Sequence, residues 1–334
     1  MAHKARHNQL TFRPHFKTHQ SAQVGEWFRD FGVKAITVSS VEMAQYFAQH
    51  GWQDMTIAFP VNILEIKEIN ALASRISLNL MVESTISANF LKNNITYPAG
   101  VFIEIDCGYK RSGIEPDDFS TIDAIITILE DDPRIKFKGF LAHAGHSYQA
   151  RSKKEIIEVF NASSPTLDSL KSHYTTSYPE LILSFGDTPT ASVADDFNGM
   201  DELRPGNFVY YDLTQWKISS CELSDIAVSV ECPVVAKYED RNELVIYGGG
   251  VHFSKDRLEV EPGKTIYGMP VVHQGNGWGE PVPGAYLVKI SQEHGTITMP
   301  QKELDNFRIG DTIKVLPVHS CMAANLLGEG AIII

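Results

Sequence analysis

Up to about Asp212 the chain alternates short β-branched, apolar runs with longer segments of helical periodicity, and no other feature constrains its fold as strongly. Repeated strand–helix units place successive strands parallel, with the helices covering them. The runs fall near Leu10–Arg13, Ala35–Val38, Met55–Pro60, Ile76–Val82, Val101–Asp106, Phe137–His143, Leu181–Phe185 and Phe208–Tyr211. Amphipathic stretches such as Val41–Gln49 and Lys154–Phe160 separate them. Eight such strands predict an α/β fold, a closed (β/α)8 TIM-type barrel rather than an open sheet. After about Leu213 the texture changes to short strands with Gly and Pro turns, as in Val228–Lys237, Glu243–Gly248, Gly284–Ser291 and Thr312–Leu316. That change predicts a smaller, mainly β domain, with the division expected at residues 1–214 and 215–334.

A formal charge of −12 argues against nucleic acid or an anionic membrane as partner, because neither would be attracted to an acidic surface. A small molecule is the expected ligand. The segment Met1–Leu10 carries basic residues without an apolar run behind them, and no later stretch approaches the ~20 apolar residues of a membrane span. The expected location is therefore cytoplasmic. Cys107, Cys221, Cys232 and Cys321 are scattered without CxxC spacing, which argues against a disulfide framework in a chain this large and leaves one free for chemistry.

Several segments offer reactive groups. In Arg13-Pro14-His15-Phe16-Lys17-Thr18-His19, a lysine follows the first strand and so falls at the C-terminal mouth of a barrel, where such enzymes place catalytic groups. Among apolar and cationic neighbours its amine would lose proton affinity and could attack an aldehyde; the competing reading is a plain loop lysine. Ser184-Phe185-Gly186-Asp187-Thr188-Pro189-Thr190 follows the seventh strand, the usual phosphate position of barrels. Gly186 permits close backbone approach and Thr188 offers a hydroxyl, while Asp187 suits a helix N-cap equally well. Gly206 and Asn207 would complete a phosphate site. His143 and Tyr148 lie in Leu141–Tyr148 at the end of the sixth strand, and Arg111 follows the fifth. The imidazole, phenol and guanidinium suit a planar anionic cofactor, although each alone reads equally as structural. Finally, Pro317-Val318-His319-Ser320-Cys321 carries a histidine and a cysteine two apart. On a strand both would face one side and could share a metal, zinc for preference, catalytic rather than structural with only two protein ligands; taken alone, the pair reads more readily as a chance spacing around a buried structural cysteine.

Taken in this order, RPHFKTH around Lys17, AHAGHSY from Ala142, ELRPGNFVYYD from Glu202, SQEHG from Ser291 and PVHSC ending at Cys321 resemble the fold-type III pyridoxal-phosphate family of D-serine dehydratases and D-threonine aldolases, whose barrel is alanine racemase-like. The resemblance implies that Lys17 holds pyridoxal 5'-phosphate as a Schiff base. It further implies that Arg111, His143 and Tyr148 line the cofactor, that Gly186, Asp187, Thr188, Gly206 and Asn207 hold its phosphate, and that His319 and Cys321 bind Zn2+ or Mn2+. The implied substrate is a β-hydroxy D-amino acid, and the implied assembly a homodimer. The implied reaction is elimination to a 2-oxo acid and ammonia, with aldol cleavage to glycine and an aldehyde, racemisation, and non-catalytic pyridoxal-phosphate binding as alternatives. One departure stands out. The family pattern begins some tens of residues earlier, so a strand of the β domain and a helix over the barrel are expected to be missing here, leaving apolar surface exposed and activity in question.

Overall fold

Alternating patterns become barrel strands because apolar runs buried on both faces must be covered by helices. The structure, a computed structural model, describes residues 1–334 except 198, 331 and 334, and of 329 only the backbone. It divides into two compact units, Met1–Gly206 and Asn207–Ile334, a boundary earlier than the one expected from the change of texture.

In the first unit the strands are β1 (Thr11–Phe12), β2 (Ala35–Val38), β3 (Asp54–Pro60), β4 (Ser77–Val82), β5 (Ala99–Ile105), β6 (Ile135–Ala142), β7 (Ile182–Phe185) and β8 (Glu202–Leu203). They form a parallel sheet in the order β1-β8-β7-β6-β5-β4-β3-β2. The edges meet just after β1: Thr37 N donates to Pro14 O at 2.9 Å and Phe16 N donates to Thr37 O at 2.8 Å. The barrel therefore closes at the residues that immediately precede Lys17. Its helices are α1 (Ala2–His7), α2 (Ala22–Asp30), α3 (Val41–Gln49), α4 (Ile66–Ala73), α5 (Thr85–Asn94), α6 (Phe119–Glu130), α7 (Lys153–Thr175) and α8 (Thr188–Val193). Several start at a short polar residue that accepts a first-turn N–H, as Ser21, Ser40, Ser84, Asp118 and Ser152 do. On α6 the buried residues Ile122, Ile125, Ile126 and Leu129 form one stripe against the sheet.

The expectation of a strand at Phe208–Tyr211 is corrected by the structure. Asn207 O accepts from both Tyr210 N (2.9 Å) and Tyr211 N (2.7 Å), which curls the segment into a short 3-10 turn despite its β-prone residues. The strand that completes the barrel is Glu202–Leu203. It is too short to show an alternating pattern, and its inward residue is a carboxylate, Glu202, rather than an apolar side chain.

The second unit contains α9 (Leu213–Lys217), β9 (Val230–Tyr238), β10 (Glu243–Tyr247), α10 (Gly250–Phe253), β11 (Leu258–Glu261), β12 (Lys264–Ile266), β13 (Gly268–Gln274), β14 (Gly277–Pro281), β15 (Tyr286–Ile290), β16 (His294–Thr298), α11 (Gln301–Leu304), β17 (Thr312–Pro317) and α12 (Ser320–Leu327). Its main sheet runs β14-β13-β15-β16-β10-β9-β17, and β13 also pairs with β17, so the antiparallel sheet curls back on itself. Leu244, Ile246, Leu287, Ile297, Ile313 and Val315 are fully buried in its core. Among the described residues no helix is long and apolar enough to cross a membrane.

Candidate active site

The barrel's closing seam fixes where Lys17 stands. Phe16 is wholly buried between the rings of Phe28, Phe47 and Trp52, at centroid distances of 4.9, 5.0 and 5.0 Å. An aromatic residue so enclosed on all sides holds the adjoining backbone in one register. His15 and Thr18 are buried on either side, whereas Lys17 itself is exposed. The lysine is thus less enclosed than its sequence neighbours suggest.

The strand ends around it bring other groups together. His143 bonds through Nδ1 to the carbonyl of Gly186, and its ring lies 6.0 Å from that of Tyr109 and 6.4 Å from that of Tyr148. Burial first, and then the charge of Lys17, push His143 down to about 3, so its imidazole is neutral at physiological pH. His15 is lowered for the same reasons. Arg111 places its guanidinium 5.3 Å from the Tyr109 ring centroid.

Two of the expected phosphate residues, Thr188 and Gly206, meet directly. Thr188 N donates to the Tyr148 hydroxyl at 3.3 Å, and Gly206 N donates to Thr188 Oγ1 at 3.3 Å. Both bonds are long, which leaves these donors able to turn to a better acceptor. A Cβ on Gly206 would lie 2.9 Å from Thr18 Oγ1, closer than a side chain tolerates without a shift, and one on Gly186 would lie 3.1 Å from Arg204, a tight contact. Asp187, by contrast, caps α8: its Oδ1 accepts from Thr190 N at 2.6 Å and from Ser147 Oγ at 2.8 Å. Burial raises its carboxyl to about 6. Asn207 donates from Nδ2 to Asp212 Oδ2 (2.7 Å) and to Cys321 Sγ (3.2 Å), so its side chain is engaged with the cysteine. Buried Thr190 Oγ1 and Asn207 Oδ1 have no partner among the described residues.

The HxC pair sits differently from its strand expectation. β17 ends at Pro317, so His319 is the N-cap of α12 and Cys321 lies in its first turn. The two side chains nevertheless meet, linked by a hydrogen bond. His319 Nδ1 also contacts Asp256 Oδ2 at 2.8 Å. Burial opposes charge on that imidazole, yet its bonds to Asp256 and Cys321 win and lift it to about 10. Among the described residues no group of three or more His, Cys, Asp or Glu side chains is arranged to hold a metal.

Sequence reasoning missed a buried charged set inside the barrel. Arg204 donates to Ser184 Oγ (2.6 Å) and Ala142 O (2.8 Å), while Arg13 donates to Glu202 (2.6 Å) and Asp54 (2.6 Å). Glu104, raised by burial, accepts from Ser112 Oγ at 2.8 Å and has Oε2 unpartnered among the described residues. The available signal was a lone charge inside an apolar run, as in Val101-Phe102-Ile103-Glu104-Ile105. Asp256 lay outside every motif singled out above.

A parallel barrel that carries a lysine just beyond its first strand, with glycine turns after the seventh and eighth, defines the class to which the comparisons then give a name. Residues 2–214 match the family model described as alanine racemase, N-terminal domain, and the chain belongs to that family. Residues 227–333 match the model described as putative serine dehydratase domain. The D-serine dehydratase of Dictyostelium discoideum is 27% identical over 348 residues, covering 96% of this chain and 85% of that protein. The solved structure of D-threo-3-hydroxyaspartate dehydratase from Delftia sp. HT23 superposes with a TM-score of 0.88 at 26% identity, covering 97% of this chain and 87% of that one. A cysteine-to-alanine variant of D-threo-3-hydroxyaspartate dehydratase in its metal-free form gives 0.89 at 27% identity, over 97% and 87%.

Proposed function

We propose that this protein is a lyase dependent on pyridoxal phosphate and a divalent metal, and that it eliminates water from a β-hydroxy D-amino acid to give a 2-oxo acid and ammonia. The observation that best supports this reading is that Thr188 bonds both Tyr148 and Gly206 in a barrel whose closing seam immediately precedes Lys17. The close packing around Gly186 and Gly206, and the Thr190 hydroxyl without a hydrogen-bond partner among the described residues, support a cradle for a bound phosphate. Similarity to dehydratases named for D-serine and D-threo-3-hydroxyaspartate supports the substrate class and the reaction.

Pyridoxal phosphate, when bound, supplies an aldehyde and a ring that accepts negative charge from the substrate Cα. Lys17 Nζ would hold that aldehyde, and the same amine is the base that would take up the Cα proton. His143 stays neutral and, tied to the Gly186 carbonyl, presents one fixed ring face. Arg111 offers a cation to the cofactor's phenolate oxygen. Gly186, Thr188 and Gly206 would cradle the phosphate, Tyr148 adding its hydroxyl; Asp187 serves through its cap on α8, and Asn207 through its backbone. His319 and Cys321 would hold the metal, which supplies Lewis acidity for departure of the β-hydroxyl. Zinc suits this nitrogen and sulfur pair better than manganese. A homodimer in the cytoplasm is the setting that the family resemblance implies.

The test is an assay of pyruvate formed from D-serine. Activity should vanish with chelator, return with zinc, and fall ~10³-fold or more in Lys17→Ala, the upper range for losing an acid–base group. Glycine and an aldehyde from D-threonine, without pyruvate from D-serine, would replace elimination by cleavage.

A further inference from the structure

The side chain of Asp256 lies between α10 and β11, remote in sequence from His319, yet Oδ2 stands 2.8 Å from His319 Nδ1. The same oxygen accepts from Ser254 Oγ at 2.9 Å, and Ser254 Oγ in turn accepts from Asp256 N at 3.0 Å. The carboxylate is therefore aimed from its own loop before it meets the imidazole. Ser254 reaches this geometry at φ +64 and ψ −169, a region that side chains other than glycine rarely occupy. An ordinary exposed ion pair would gain too little to hold such a conformation, although Asp256 and His319 are 47% and 41% exposed.

We propose that Asp256 is a positioning residue for the metal pair: it receives the Nδ1–H of His319, fixes that tautomer and turns Nε2 outward as the ligand atom. The inference rests on the metal reading above and deepens it. A carboxylate behind a ligating imidazole raises its basicity and sets its plane, so metal affinity depends on it even without contact to the ion. The other ligand is held in a matching way, since Asn207 Nδ2 donates to Cys321 Sγ while anchored on Asp212. That amide N–H fixes where the sulfur points. Both donors would then be oriented before an ion arrives.

The experiment is a zinc competition titration against a chromophoric chelator, on the full chain stripped of metal and without substrate or cofactor. Asp256→Ala should weaken zinc binding 10–100-fold, the usual range for losing such a partner. Asp256→Asn keeps an oxygen that can accept the Nδ1–H and should fall between Asp256→Ala and the parent, as should Ser254→Ala. With cobalt in place of zinc, the thiolate-to-metal band should weaken in the same order. His319→Ala and Cys321→Ala set the floor. Unchanged zinc affinity in both Asp256 variants, with affinity lost in His319→Ala, would overturn the positioning role and leave the metal reading intact. A parent chain that takes up no zinc would overturn both. Circular dichroism on each variant keeps loss of fold distinct from loss of affinity, and Asp256→Asn remains decisive should Asp256→Ala unfold.

Discussion

Among single residues, His19 carries a testable cost. Its ring is 6% exposed and packs 4.4 Å from Phe16 and 5.7 Å from Phe28 by centroids. Ser21 N donates to its Nδ1 at 3.1 Å, so the proton sits on Nε2, which faces no acceptor among the described residues. Burial lowers this histidine from 6.5 to about 4. Between those values the unfolded chain binds the proton and the folded chain does not, so stability from this group is complete above about 6.5 and is lost as pH falls toward 4. The loss is on the order of 3 kcal/mol at a per-unit cost of about 1.4 kcal/mol. His19→Phe should flatten the fall in unfolding free energy across that window. An equally steep acid limb in the variant would contradict the assignment. His143 follows the same sign, and a neutral imidazole beside Lys17 is what the proposed chemistry requires.

At the scale of elements, the short strands β1 and β8 are fastened by charge rather than by length. Glu202 is 1% exposed and accepts from Arg13 Nε and Ser184 Oγ, each at 2.6 Å. Glu202→Ala would leave Arg13 buried with only Asp54 as its carboxylate partner and should cost about 3–5 kcal/mol, the usual penalty for breaking a buried pair. Glu202→Gln should cost less, since an amide oxygen still accepts from Ser184. Denaturant unfolding of both variants checks this; a loss below about 1 kcal/mol in Glu202→Ala would show that packing alone closes the barrel. Of these two, β1 falls within the stretch expected of it, whereas β8 marks where sequence patterning failed. Periodicity located β2 to its residue limits and β3 to β7 within a few residues, because those strands bury long apolar runs. It could not find a two-residue strand whose inward side chain is a carboxylate, and it mistook the aromatic turn at Phe208–Tyr211 for one. Likewise, HxC was visible as a pair, but the helix that opens at Ser320 was not, and Asp256 is brought to His319 only by the folding of the β10–β11 connection.

For the whole molecule, the parallel barrel followed by an antiparallel β unit was legible from the shift in texture after Leu213, since each architecture imposes its own period. Motif order along the chain carried the family, and the match over residues 2–214 agrees with it. Long-range charge pairing inside the barrel was not legible, because nothing local ties Arg13 to Glu202 or Arg204 to Ser184. The account's central claim is that one lysine at the closing seam carries the cofactor. It is tested most directly by incubating the purified chain with pyridoxal phosphate, reducing it with borohydride and mapping the labelled peptide. The account predicts one pyridoxyl group, on Lys17, with visible imine absorbance before reduction and neither signal in Lys17→Ala. Label at another lysine, or none at all, would contradict it.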